Sequence, residues 1–139
     1  MMDPTDKPSD QTPSSQSPKI LLVEDDNNLA DVYSTRLSAE GFTVTRVADG
    51  EQALAAAIKD RPDLVLLDIM MPKISGFDVL DILRNTPEIA QTKIIMLSAR
   101  GQESDKRRAQ GLGANDYLVK SQIVMSDIIT HVKEQLGSS

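Results

Sequence analysis

Four apolar runs in this chain stop at side chains that can do chemistry. LLVEDDNN (residues 21–28) ends in Glu24, Asp25 and Asp26; DLVLLD ends in Asp68, KIIMLS in Ser98 and DYLVK in Lys120. Carboxylates packed this closely repel: at an effective dielectric near 20, a unit-charge pair about 4 Å apart costs on the order of 4 kcal/mol. If the first and third runs lie side by side, three carboxylates share one cleft and something positive must offset them. Lys120 supplies one charge. A hard divalent cation with oxygen ligands supplies the rest, and magnesium suits a site with few carboxylates and retained waters.

The elements that must position these residues read as five βα units. Strands are expected at residues 19–24, 42–48, 63–68, 93–98 and 116–120. Three of the five are apolar nearly throughout, the pattern of strands covered on both faces of a parallel sheet. Between them run helical faces: Leu29, Val32, Tyr33 and Leu37; then Ala53, Leu54, Ala57 and Ile58; then Val79, Leu80 and Leu83; and last Ile128, Ile129, Val132 and Leu136. Asp49, Ser75 and Ser126 or Asp127 stand where N-caps belong, Asp26 with Asn27 opens the first helix, Gly41 follows it, and Pro87 stops the third. The segment 103–112 offers only Ala109 and Leu112 to a core, which makes it marginal and mobile; its Lys106-Arg107-Arg108 run reads as a solvated face paired with Glu103 and Asp105, or as a docking patch. Such alternation gives an α/β fold, a doubly wound parallel five-stranded sheet with right-handed crossovers. Chemistry in such a sheet gathers at the carboxyl ends of the strands, where the residues above stand.

Composition narrows the function. The chain has 139 residues, 40% hydrophobic and 26% charged, enough for one domain with a core. Residues 1–18 hold four of the seven prolines and read as a disordered leader; 19–136 form the domain and 137–139 a tail. A net charge of −6 argues against a direct nucleic-acid binder. No apolar stretch reaches the roughly 18 residues of a membrane helix, and no secretory signal opens the chain, so the cytoplasm is the expected compartment. With no cysteine, disulfides and thiolate metal sites are excluded.

From Lys19 to Leu136 the chain resembles a response-regulator receiver domain of the chemotaxis-regulator type, the phosphoacceptor half of two-component signalling. ILLVEDD, PDLVLLDIMMPKISGFDVL, IIMLSA and LGANDYLVK carry the resemblance, with Asp68 43 residues after Asp25, Ser98 30 after Asp68 and Lys120 22 after Ser98. It implies the flavodoxin-like strand order 2-1-3-4-5, which chemotaxis receivers share. It also implies that Asp68 accepts a phosphoryl group from a sensor histidine kinase or histidine phosphotransfer protein. Magnesium would be held by Asp25 directly, Glu24 through water, Asp68, and the backbone carbonyl of Met70. Lys120 would pair with one phosphoryl oxygen, and the Ser98 hydroxyl and Ala99 amide with another. Pro72 and Gly76 would shape the loop after Asp68. Ser98 and Tyr117 would form the switch, changing the face of the fourth helix, fifth strand and fifth helix that an unknown protein target reads. Such a domain promotes its own phosphorylation and dephosphorylation without being a conventional enzyme.

Some positions depart from that pattern. Ser121 stands where the family has a proline after a cis bond, so the bond after Lys120 is either strained or trans. Met70 and Arg100, two residues beyond Asp68 and Ser98, offer no carboxylate or amide to orient a water, which predicts a long-lived phosphoryl group. The lone His131 reads as a surface residue. A flavin carrier would need a phosphate-cradling loop where EDDNN stands, and an aspartyl phosphohydrolase a second acid at Met70. A DNA-binding regulator would need residues beyond Gly137, Ser138 and Ser139, so a receiver fragment of a longer regulator or hybrid kinase stays open as the alternative, beside a non-signalling flavodoxin-like module.

Overall fold

A computed structural model describes residues 17–137 of the chain. The expected leader lies outside the described residues as far as position 16, as do Ser138 and Ser139 of the tail. Pro18, where the leader was expected to end, is half-buried, and its carbonyl accepts the Thr43 amide at 3.0 Å.

The elements alternate throughout: β1 (Lys19–Val23), α1 (Asn27–Ala39), β2 (Thr43–Val47), α2 (Gly50–Asp60), β3 (Leu64–Asp68), α3 (Gly76–Arg84), β4 (Lys93–Ser98), α4 (Glu103–Gly111), β5 (Asp116–Val119) and α5 (Met125–Gln135). Short 3-10 turns at Pro87–Ile89 and Lys120–Gln122 complete the chain. All strand pairings are parallel and the order is β2-β1-β3-β4-β5, the flavodoxin-like doubly wound α/β arrangement. β3 is buried at every residue (LVLLD) because helices cover both of its faces, which is why its sequence does not alternate. At the sheet edge, β2 (TVTRV) is only partly covered: Val44 packs on one core and Val47 on the other, while Thr43 and Thr45 are exposed.

Alternate strand residues feed two cores. Leu21, Val23, Val65, Leu67, Ile94 and Met96 pack with α2, α3 and α4. Ile20, Leu22, Leu64, Leu66, Ile95 and Leu97 pack with α1 and α5. The helical faces are narrower than the sequence suggests. Val32 and Ile58, expected in the core, are 51% and 52% exposed, and Ala30 and Ala53 line the buried stripe beside them. Small residues there let α1 and α2 approach the sheet closely, which turns the flanking branched side chains outward. Asp26, Asp49 and Ser75 cap α1, α2 and α3, accepting the amides of Leu29, Gln52 and Asp78. Neither Ser126 nor Asp127 caps α5, which begins earlier with Val124 in the N-cap position. Asp127 sits one turn in and accepts the Val124 amide at 3.4 Å. The Lys120–Ser121 bond is trans, as are all peptide bonds among the described residues.

Candidate functional site

Strand register assembles the site. Val23 pairs with Leu67, so Glu24 and Asp68, one residue further along each strand, stand side by side. Asp68 pairs with Leu97, which puts Ser98 one step beyond, and Ser98 pairs with Val119, which puts Lys120 one step beyond that. Four expected site residues thus come together at the carboxyl edge of the sheet, with Asp25 on the loop above.

Glu24 and Asp68 are 1% and 5% exposed, whereas Asp25 is open to solvent. The Lys120 ammonium bridges the buried pair, donating to Glu24 Oε1 at 2.8 Å and to Asp68 Oδ2 at 3.0 Å. Burial pushes the Glu24 carboxyl above the usual carboxylate value; the bonds from Lys120 and the Asp26 amide oppose the shift and the Asp68 charge adds to it. Burial works against the Lys120 ammonium too, but Glu24 and Asp68 outweigh it and hold the group above the ordinary lysine value. One lysine faces three carboxylates here. Oxygen atoms of Glu24, Asp25 and Asp68 all lie within 4.8 Å of one another, a hard-oxygen donor set with charge left over that fits a divalent cation such as magnesium.

Local backbone requirements explain how Asp68 is presented. Asp68 Oδ1 accepts the Met70 amide at 3.1 Å, which orients the carboxylate, while the Met70 side chain is exposed. The Gly76 amide donates to the Ile69 carbonyl at 2.9 Å. A Cβ on Gly76 would sit 2.4 Å from the Asp68 carbonyl oxygen and 2.6 Å from Ile69 Cα, so only glycine lets α3 begin this close to the site. Pro72 lies on the same loop, and its carbonyl accepts the Ile74 amide.

Ser98 is fully buried, and Ala99 after it is exposed. Ser98 Oγ accepts the Arg100 amide at 3.0 Å, and the Tyr117 hydroxyl donates to the Arg100 carbonyl at 2.8 Å. Both expected switch residues therefore hold the backbone of Arg100.

Arg46 was not singled out from sequence. Its guanidinium donates twice to the Glu24 carbonyl, at 3.0 and 2.7 Å, and once to Asn27 Oδ1 at 2.9 Å, which fixes the loop carrying the acids. The available signal was an arginine in the edge strand TVTRV, one residue before its end. His131 is not a plain surface residue: its Nδ1 lies 2.6 Å from Asp116 Oδ2, tying α5 to β5.

Comparison with known proteins agrees with this geometry. The family model for the response regulator receiver domain matches residues 20–133. The transcriptional regulatory protein CpxR of Klebsiella pneumoniae is 52% identical over 102 residues, which cover 73% of this chain and 42% of that protein. The phosphate regulon transcriptional regulatory protein PhoB of Rhizobium meliloti is 43% identical over 103 residues, covering 74% and 45%. The chain thus spans less than half the length of these relatives. Among solved structures, the receiver domain of Francisella response regulator 1452 superposes with a TM-score of 0.81 at 30% identity, covering 88% of this chain and 98% of that one. A CheY-like receiver domain protein from Methanospirillum hungatei gives a TM-score of 0.81 at 26% identity, covering 88% and 95%.

Proposed function

This chain belongs to the response-regulator receiver family, and from that premise we propose that Asp68 is its phosphoacceptor, taking a phosphoryl group from a phosphohistidine on a sensor kinase or phosphotransfer protein. An Asp68 carboxylate oxygen attacks phosphorus. The phosphorus–nitrogen bond breaks with its electron pair going to the imidazole, which takes up a proton from solvent, and Asp68 becomes an acyl phosphate. Magnesium, held by Asp25, Asp68, the Met70 carbonyl and Glu24 through water, would neutralise phosphoryl oxygens. The protein's own part is alignment and charge. Lys120, already placed against Asp68, pairs with one phosphoryl oxygen, and the Ser98 hydroxyl and Ala99 amide donate to another. The domain so promotes its own phosphorylation, and by the reverse alignment of a water its dephosphorylation, without turning over an external substrate.

The observation that carries this reading is the Lys120 bridge between buried Glu24 and Asp68 with Asp25 in reach. Output follows when Ser98 moves toward the new oxygens and Tyr117 turns inward, changing the surface of α4, β5 and α5 that a protein target reads. To locate the modification, the phosphorylated protein is reduced with borohydride, which converts an aspartyl phosphate to homoserine, and digested for peptide mass mapping. Homoserine at position 68 is expected; the product at another acid, or at none, would contradict the assignment.

A second reading concerns context. The relatives are transcriptional regulators more than twice the length of the matched segment, which favours this receiver acting as the phosphorylation-controlled part of a longer regulator. In that case nucleic acid would be contacted outside this domain. An antibody against residues 19–136, used on lysate of the source cells, distinguishes a band of about 15 kDa from a longer protein.

A further inference from the structure

Arg100 stands at the joint between the site and α4, and its side chain is held only loosely. Its two guanidinium contacts to oxygen among the described residues are long, Nη2 to Gln102 Oε1 at 3.4 Å and Nε to Asp105 Oδ2 at 3.6 Å, and Nη1 meets only the weak acceptor Met70 Sδ at 3.6 Å. Charge-assisted bonds normally close to about 2.7–2.9 Å. The contact with Met70 carries the guanidinium over the loop that follows Asp68. The partner in α4 is equally unsettled, because Asp105 Oδ2 is buried without a hydrogen bond, a rare condition for a carboxylate oxygen. Asp105 lies in the first turn of α4, and no side chain caps that turn. The helix buries one residue, Ala109. Its start is therefore the least anchored element next to the site.

We infer that Arg100 senses charge on Asp68 and transmits it to α4 by exchanging Asp105 for a phosphoryl oxygen. The inference rests on the reading of Asp68 as phosphoacceptor. Phosphorylation adds roughly one negative charge and strong acceptor oxygens at Asp68. Arg100, carrying a guanidinium without a close partner, turns to them. The backbone follows the same direction, since Ser98 Oγ leaves the Arg100 amide when the side chain moves over to donate to the phosphoryl group. Asp105 then loses the one ion-pair partner it has among the described residues while its Oδ2 is still buried, and the first turn of α4 must shift to hydrate it. Arg100 is thus a positioning residue for output, acting beside Ser98 and Tyr117 on the first turn of α4.

Amide NMR spectra test this on wild type, Arg100→Lys, Arg100→Ala and Asp105→Asn, recorded before and after acetyl phosphate with magnesium and compared at matched phosphorylation set by intact mass. In wild type the amides of residues 103–109 shift on phosphorylation. Arg100→Ala is expected to lose most of that shift while the amides of Ser98 and Tyr117 still respond, and Arg100→Lys to retain part of it. Asp105→Asn is expected to place the α4 amides toward their activated positions with no phosphodonor present, which a purely structural Arg100 would not cause. Equal α4 shifts in wild type and Arg100→Ala, or an unchanged Asp105→Asn spectrum, would overturn the inference and leave Asp68 as phosphoacceptor standing. No phosphoryl gain by wild type would overturn both.

Discussion

Glu24, Asp25 and Asp26 are adjacent in sequence and have three different surroundings. Glu24 is buried, its side chain held by Lys120 and the Asp26 amide and its carbonyl by Arg46. Asp25 is exposed at the mouth of the carboxylate cluster. Asp26 accepts the Leu29 amide at 3.1 Å and caps α1. The proposed metal role therefore divides them, and calorimetric titration with magnesium should resolve the division. Asp25→Asn is expected to weaken affinity by on the order of tenfold or more, corresponding to about 1.4 kcal/mol. Asp26→Asn should change it little, because asparagine caps about as well as aspartate. Equal losses in the two variants would contradict the division. The sequence made the cluster legible because its acids follow an apolar strand. Arg46 was not recognised, since its partners, the Glu24 carbonyl and Asn27 Oδ1, lie on another element and leave no local pattern.

Helix starts decide how closely the site is approached. Gly76 allows α3 to begin against the backbone of Asp68 and Ile69. Gly76→Ala forces backbone apart rather than a flexible side chain, so a loss of about 1–3 kcal/mol in urea unfolding is expected, together with slower phosphorylation by a small phosphodonor. Unchanged stability would mean that the close approach is not required. Asp49 at the start of α2 gives a pH dependence. The bond from the Gln52 amide holds its carboxyl below the usual value, with Lys73 helping and desolvation opposing. Because the folded value is the lower one, this contribution is complete above about pH 4 and disappears as pH falls through the folded value. Asp49→Asn keeps a cap that does not titrate. The difference in urea midpoint between wild type and variant should therefore move against wild type as the pH is lowered into that range, and a pH-independent difference would contradict the assignment. The caps Asp26, Asp49 and Ser75 were legible because a short polar side chain preceded each apolar stripe. The start of α5 was not, because Val124 offers no acceptor and the visible acid, Asp127, serves from inside the first turn. Helical period likewise marked the stripes of α1 and α2 without fixing their centres, so Val32 and Ile58 were assigned inward.

Taken as one body, the domain is a two-sided sheet whose buried central strands write themselves into the sequence. β3 is apolar up to Asp68, and that single break in the pattern places the acid at the sheet edge. The strand order 2-1-3-4-5 was legible only through the resemblance, and with that order the parallel register brings residues as far apart as Glu24 and Lys120 together. Connections that lock the far side were illegible. Arg84 donates to the carbonyls of Gly113, Ala90 and Thr92 and to Asn115 Oδ1, joining α3 to the loops around β4 and β5 through contacts with no sequence signature. Among the described residues no helix is long and apolar enough to cross a membrane. A cation bound at the carboxylate edge would link to folding of the entire domain. Magnesium at a hundredfold excess over its dissociation constant should add about 2.7 kcal/mol, seen as a rise in the thermal midpoint that a chelator reverses and Asp25→Asn diminishes. A midpoint indifferent to magnesium would contradict a metal role for the cluster.

Intact mass after treatment with acetyl phosphate, followed for wild type and Asp68→Asn with magnesium and with chelator, tests the assignment of Asp68 most directly. Wild type with magnesium should gain a single phosphoryl group, and the gain should fall sharply with chelator and vanish in Asp68→Asn. An equal gain in the variant, or a gain in wild type that does not depend on magnesium, would contradict it.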